Sequence, residues 1–225
     1  MTVPGPFTDV AYLLLAPGTA VSGSDVLAPV LGTSPDTVRW TVENPALVKR
    51  GPDSKVLATV PAAFTTVVRF GHLPERLEDL RHSLGSGLDV HRSALVVGRE
   101  WIAVEGGGEV VAAAFVRRRG DLSVAEMRRR WSEEHVAFAR VVGRGYRQVH
   151  LDAVATATAN VALGFDDPRL DGIALVYFAD AATLAETRAS DAVAVDATGD
   201  EARFLDHERS SFVTLVDASM EGHLS

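Results

Sequence analysis

Residues 121–150 read DLSVAEMRRRWSEEHVAFARVVGRGYRQVH, and the rest of the chain is arranged around this stretch. Ser123 stands three residues before Glu126, the spacing at which a cap hydroxyl and a glutamate satisfy free N–H groups at a helix start. Leu122 and Met127 flank that pair as a hydrophobic staple. Val124, Met127, Trp131, Phe138 and Val142 then recur at helical steps along one face, and His135 falls on the same face, one turn after Trp131. Arg128, Arg129, Ser132, Glu133 and Arg140 lie mainly on the other side, where Arg129 with Glu133 and Arg130 with Glu134 have i,i+4 spacing for ion pairs. The pattern predicts one helix over 123–142, ended by Gly143 as a left-handed residue and followed, after Gly145, by a strand over 146–151.

Outward from this helix the chain alternates between short strands and punctuation. Residues 9–16 form an apolar run before Pro17-Gly18 and read as a buried strand. Residues 37–43 alternate cleanly, with Val38, Trp40 and Val42 on one face, as in a strand covered on one side. Residues 44–61, with four prolines and glycines among them, read as a long loop. A strand is expected at 63–70, a short amphipathic helix at 73–83 on Leu73, Leu77 and Leu80, and a strand over 93–97 and 101–104 interrupted at Gly98. Glu105-Gly106-Gly107-Gly108 is the strongest break. Beyond it follow a strand at 110–117, the main helix, the strand at 146–151, a loop at 153–169, a strand at 173–178, a helix at 181–189 and a last strand at 212–216.

Two echoes link the halves: TTVVRFGHLPERLEDLRHS with IALVYFADAATLAETRAS, and SALVVGREW with SFVTLVDAS. The expectation is an α+β chain of two tandem ferredoxin-like βαββαβ units, residues 1–107 and 108–225, each a four-stranded antiparallel sheet with helices on one face and an apolar face needing cover. The first unit offers only VSGSDVLAPVLG where the second has its long helix, without an aromatic or a histidine and with a proline in the middle. It is a degenerate half, and one ligand site per chain is expected.

The segment WSEEHVAFARVVGRGYRQVH resembles the W-x-x-x-H…G-x-x-x-Y signature of the EthD-like proteins of the dimeric α+β barrel superfamily. LDGIALVYFADAATLAETRAS and DEARFLDHERSSFVTLVD resemble the family's second strand-and-helix segment and its F-L-D turn and closing strand, so the resemblance spans residues 110–217. It implies that the two antiparallel sheets pack face to face as a dimeric α+β barrel within one chain, a pseudo-dimer that can itself pair as a homodimer. It also implies small-molecule chemistry of lyase, cyclase, isomerase or cofactor-free oxygenase type on a compact hydrophobic or aromatic oxygenated substrate.

Composition narrows the alternatives. With 22 basic against 30 acidic side chains the net charge is −8, which opposes a phosphate backbone, so no nucleic-acid partner is expected. No cysteine is present, which excludes disulfides, thiolate nucleophiles and cysteine metal sites. The start MTVPGPFTDV has no basic leader and the apolar run at 13–15 is far too short for a bilayer, so no membrane and a cytoplasmic location are expected. There is no G-x-G-x-x-G, phosphate loop, G-x-S-x-G or H-E-x-x-H, so no cofactor and no metal are expected.

His135 is the candidate acid/base, because a neutral imidazole on a helix face can move a proton near pH 7. The bland alternative is a core histidine bonded to a main-chain carbonyl. Tyr146, at the head of the following strand, is the second catalytic candidate, and the two-residue strand period puts Gln148 and His150 on its side. Met127, Trp131 and Phe138 line the helix side of the expected pocket, and Tyr177 with Asp171 is expected to reach it from the next strand. Asp206-His207-Glu208 reads as a capped turn. Two other functions stay open: a non-catalytic hydrophobic-ligand-binding or accessory barrel, and a haem protein with His135 or His207 as axial ligand.

Overall fold

A computed structural model describes residues 7–16, 37–45, 49–50, 56–57, 59–73, 77–84, 88–138, 143–189 and 197–217. The segment VSGSDVLAPVLG lies outside the described residues.

The strands are β1 (Thr8–Leu15), β2 (Val38–Asn44), β3 (Lys49–Arg50), β4 (Val56–Leu57), β5 (Thr66–Phe70), β6 (Ala94–Val104), β7 (Val110–Val116), β8 (Gly145–Leu151), β9 (Gly172–Phe178) and β10 (Ser211–Asp217). The helices are α1 (Leu77–Leu84), α2 (Val124–Arg129), α3 (Ala153–Leu163) and α4 (Ala181–Ala189). Among the described residues, eight strands close into an antiparallel barrel in the order β1-β5-β2-β10-β7-β9-β8-β6, and β3 pairs only with β4. Within residues 8–104 the order is β6-β1-β5-β2, and within 110–217 it is β10-β7-β9-β8, so in each half the fourth barrel strand lies beside the first, then the third, then the second. The sheets do not merely face each other. They are hydrogen-bonded edge to edge, β2 to β10 and β6 to β8, which removes the four open edges that two separate sheets would present.

The two-residue alternation of each strand sorts its side chains. One set fills the barrel: Val10, Tyr12 and Leu14 of β1, Val111, Ala113 and Phe115 of β7, and Ile173, Leu175 and Tyr177 of β9, joined by Trp40, Val96, Val149 and Val213. The other set meets the outer helices, as where Ala11, Leu13 and Leu15 pack with Leu80 and Leu84 of α1 and Leu163 of α3. Val38, Trp40 and Val42 all face the barrel core, as their alternation predicts.

A buried carboxylate with its arginines sits among these interior positions. Glu100 is 2% exposed. Its Oε1 accepts from the Tyr12 hydroxyl at 2.7 Å and from Arg69 Nε at 3.0 Å, while Oε2 accepts from Arg69 Nη2 at 2.7 Å and Arg147 Nη1 at 3.2 Å. The Arg147 guanidinium lies 5.1 Å from the centroid of the Tyr177 ring, and Tyr12 stacks on Trp40. Burial pushes the Glu100 carboxyl up, but the two guanidiniums and the hydroxyl outweigh it and hold the carboxyl low.

Residues 153–169 do not form the expected loop throughout. Asp152 caps a helix by accepting from the N–H groups of Val154 and Ala155, and Gly164, at φ 70, ends it in the left-handed conformation that glycine adopts without penalty. The periodic apolar signal is missing because the inward face is Thr156, Ala159, Asn160 and Leu163, while Val154 and Val161 point outward at 77% and 79% exposure. The polar members of that face have a task. β6 pairs with β8 only from Gly98 onward, which leaves Leu95 and Val97 to be satisfied on that side by other groups. Asn160 accepts from Leu95 N–H at 2.9 Å and donates to its carbonyl at 2.8 Å, and Thr156 Oγ1 does the same for Val97 at 3.0 and 3.2 Å. β6 is therefore one continuous strand, with no interruption at Gly98. Asn160→Ala is expected to cost about 1–3 kcal/mol in urea unfolding, because two buried main-chain groups lose their partner.

Candidate functional site

The central helix begins as predicted. Ser123 Oγ accepts from Glu126 N–H at 3.1 Å, and Leu122 packs with Met127. The Glu126 carboxylate turns to Arg130, accepting at 2.8 Å, and so pairs with the helix side chain one turn on. The expected uniform α-helix is not found: after α2 the chain widens into a π-helical segment, Arg130–His135, before resuming α geometry over 136–138. A π turn spaces neighbours at i,i+5. Arg129 accordingly meets Glu134 at 2.8 Å and Glu133 only at 3.9 Å, while Arg130 pairs with Glu126 in place of the expected Glu134. Gly143 is not among the described positive-φ glycines; a Cβ there would stand 2.6 Å from Val176 Cγ1, so close approach to β9 is what the position demands.

The segment lies on the outer face of β7, β9 and β8. Trp131, 1% exposed, packs with Val116, Met127, Phe204 and Leu205, over Gly172, where a Cβ would overlap its indole ring. Its Nε1–H donates to the Tyr146 hydroxyl at 2.7 Å. Gln148 Nε2 donates to the Trp131 carbonyl at 2.9 Å and to the Tyr146 hydroxyl at 3.3 Å, and Gln148 Oε1 lies 3.1 Å from His150 Nε2. With the amide nitrogen committed as donor, Gln148 Oε1 is the acceptor and His150 Nε2 carries the proton. Burial pushes the Tyr146 hydroxyl well above its ordinary range.

Tyr146, Gln148 and His150 thus share one face, as expected. Tyr177 does not join them. β8 and β9 pair Tyr146 with Val176 and Gly145 with Tyr177, and cross-strand partners point the same way, so Tyr177 projects into the barrel. Asp171 is used locally, accepting from Arg118 N–H at 3.0 Å.

His135 is 7% exposed, and its ring is surrounded by Phe204 at 5.3 Å, Phe138 at 6.0 Å and Tyr146 at 6.4 Å between centroids. Its Nδ1 lies 2.9 Å from Asp200 Oδ2. The hydrogen bond from His135 holds the Asp200 carboxyl low, against the opposing effect of burial, with Arg203 adding to the effect at 3.1 Å. An ionised Asp200 requires a proton on Nδ1, which leaves Nε2 as the basic nitrogen of the neutral ring. Among the described residues Nε2 has no hydrogen-bond partner. The next residue, Glu201, pairs with His207 through the other ring nitrogen, Nε2, at 3.2 Å, and the His207 ring stacks on Phe212. Asp200 was not singled out by sequence reading: it lies 65 residues from His135, and only its place at the head of the DEARFLD segment hinted at it.

His150 gives a pH prediction. Burial, with Arg128 and Arg99 adding, lowers it from 6.5 to about 4. On acidification the unfolded chain takes this proton near 6.5 and the native state only near 4, so stability is retained above that window and lost as pH falls through it, by up to about 3 kcal/mol. Urea midpoints measured from pH 7 to 4 are expected to fall more steeply for the wild type than for His150→Gln.

The fold is thus a closed antiparallel α+β barrel carrying a histidine–carboxylate pair at the end of a π-helical turn. The EthD domain family model matches residues 119–208, so the resemblance to the EthD-like proteins holds over the segment that contains α2, β8, α3, β9, α4 and Asp200. No curated protein matches the chain. Among solved structures, the crystal structure of a protein provisionally named a chlorite dismutase is similar at a TM-score of 0.48 with 12% identity, covering 97% of this chain and 99% of its own. No helix among the described residues is long and apolar enough to cross a membrane. No group of three or more metal-ligating side chains occurs among them either.

Proposed function

We propose that the chain is an EthD-like small-molecule enzyme in which His135 is the acid/base and Asp200 its positioning partner. The substrate class is a compact hydrophobic or aromatic oxygenated molecule, and the reaction is of lyase, cyclase, isomerase or cofactor-free oxygenase type. The observation that carries this reading is the 2.9 Å Asp200–His135 contact, which directs the basic Nε2 away from the carboxylate in an aromatic setting. Met127, Trp131 and Phe138 supply apolar surface on the helix side, with Tyr146, Gln148 and His150 beneath. The recurrence of one strand order in both halves supports a tandem βαββαβ origin with a degenerate first half, residues 1–107, and a site-bearing second half, residues 108–225; α3 is then an insertion between the second and third strands of the second unit.

One observation favours the non-catalytic reading. Tyr146 and Gln148 are bonded to Trp131 and to each other, so their polar atoms orient the protein itself. The test is a turnover screen of simple phenols, naphthols and quinones by absorbance, run beside His135→Gln. Conversion by the wild type that drops at least 100-fold in His135→Gln, at an unchanged thermal midpoint, supports catalysis. Ligand binding seen as His135 ring shifts by NMR without conversion supports the binding module.

A further inference from the structure

A cavity of about 360 Å³ opens at the barrel end where β1 and β7 finish and β6 and β10 begin. It shares no residue with the His135 layer: its apolar depth is Leu14, Phe64, Ala94, Phe115 and Leu170, and its mouth carries Arg92, Arg117, Arg209 and Ser211. Phe64 meets Phe115 edge to face at 4.6 Å, which closes the inner end with ring surface.

The charges at the mouth do not balance. Asp166 is 3.2 Å from His91 Nδ1, and Asp167 accepts from the Arg169 N–H at 2.8 Å. Arg92 has Asp89 at 4.0 Å and Arg209 has Asp206 at 3.8 Å, both long contacts of half-exposed side chains. Arg117 has no carboxylate within ion-pair distance among the described residues. Its Nη2 donates to the Pro168 carbonyl at 3.1 Å, and its Nε is buried without an acceptor. Burial and the neighbouring Arg209 and Arg169 all disfavour its charge, with Asp171 and Asp167 only partly compensating. A guanidinium is a planar, bidentate carboxylate receptor, and a cavity of this size holds a ring or a short chain.

We propose that the barrel mouth is a second binding site, for a small monocarboxylate whose aromatic or aliphatic body enters between Phe64, Phe115 and Leu170 while its carboxylate pairs with Arg117. A single negative charge is specified because, among the described residues, Arg117 is the one arginine at the mouth with no carboxylate within ion-pair distance. A dianion faces Asp166 and Asp167 with no second such arginine among the described residues to balance it.

The experiment is calorimetric titration of the full chain with sodium benzoate and sodium octanoate, against benzyl alcohol, 1-octanol and inorganic phosphate. Binding of the carboxylates at one site per chain is expected, with the alcohols and phosphate at least tenfold weaker. Arg117→Gln is expected to weaken octanoate at least tenfold, whereas His135→Gln leaves it unchanged, so that failure here is separable from failure of the catalytic reading. Should Arg117→Gln fold poorly, octanoate-induced amide shifts in the wild type take its place: shifts at Leu14, Phe115 and Leu170 support the site. Alcohols that bind as tightly as the acids, phosphate that binds more tightly, loss of octanoate binding in His135→Gln, or shifts confined elsewhere would each overturn it.

Discussion

Replacing Glu100 by alanine is expected to lower the unfolding free energy by about 3–5 kcal/mol, one of the largest effects of any single substitution in this chain. The carboxylate is 2% exposed and holds Arg69, Arg147 and the Tyr12 hydroxyl together inside the barrel. Its removal takes this carboxylate away from two arginines whose side chains are only 12% and 25% exposed. Glu100→Gln keeps an acceptor and the packing volume while losing the charge, and is expected to cost less, about 1–3 kcal/mol. The contribution is also pH-dependent. Because the folded carboxyl is held below its ordinary value, the stability it confers is present above that ordinary value and is lost as pH falls through the lower folded one. Urea unfolding at pH 7 and pH 4 measures both effects; an alanine variant within 1 kcal/mol of the wild type at pH 7 would show that desolvation of the charges cancels their attraction.

The second large effect concerns turnover. Asp200→Asn preserves shape but removes the charge that places a proton on His135 Nδ1, and an asparagine amide can instead donate to Nδ1 and leave the proton on Nε2. On the catalytic reading this lowers turnover about 10²–10⁴-fold, comparable to the acid/base contribution itself. Asp200 has two partners, His135 and Arg203, so stability falls as well, by about 1–2 kcal/mol. The discriminating readout is the His135 ring resonance: loss of activity with a changed tautomer signature and a retained fold identifies Asp200 as a positioning residue. Unchanged turnover in a variant with the altered tautomer removes His135 from the chemistry.

The strands and most helices were legible because their signals are local. Alternation marked Val38, Trp40 and Val42 as inward, and the Ser123 cap with the Leu122–Met127 staple marked the central helix. Helix α3 escaped because its buried face satisfies the backbone of β6 with Thr156 and Asn160, a task that hydrophobic periodicity does not record. The π turn escaped because α and π spacing differ by one residue over a single turn, and the arginine–glutamate run supplies pairs for either.

Residue order along each strand was sufficient to say which side chains share a face, so Tyr146, Gln148 and His150 were grouped correctly from a period of two. It was not sufficient to say which face of β9 meets which face of β8, because that depends on register between strands about 25 residues apart; Tyr177 therefore turned out to lie in the barrel. The partners of His135 and Glu100 belong to the same class. Asp200, Arg69 and Arg147 are brought to them only by closure of the barrel and by the return of the chain before β10, and contacts between residues so distant in sequence leave no periodic trace. Local propensity and pattern chose the elements; the pairing of β2 with β10 and of β6 with β8, which leaves no barrel strand with an open edge, chose which charged and polar groups would meet.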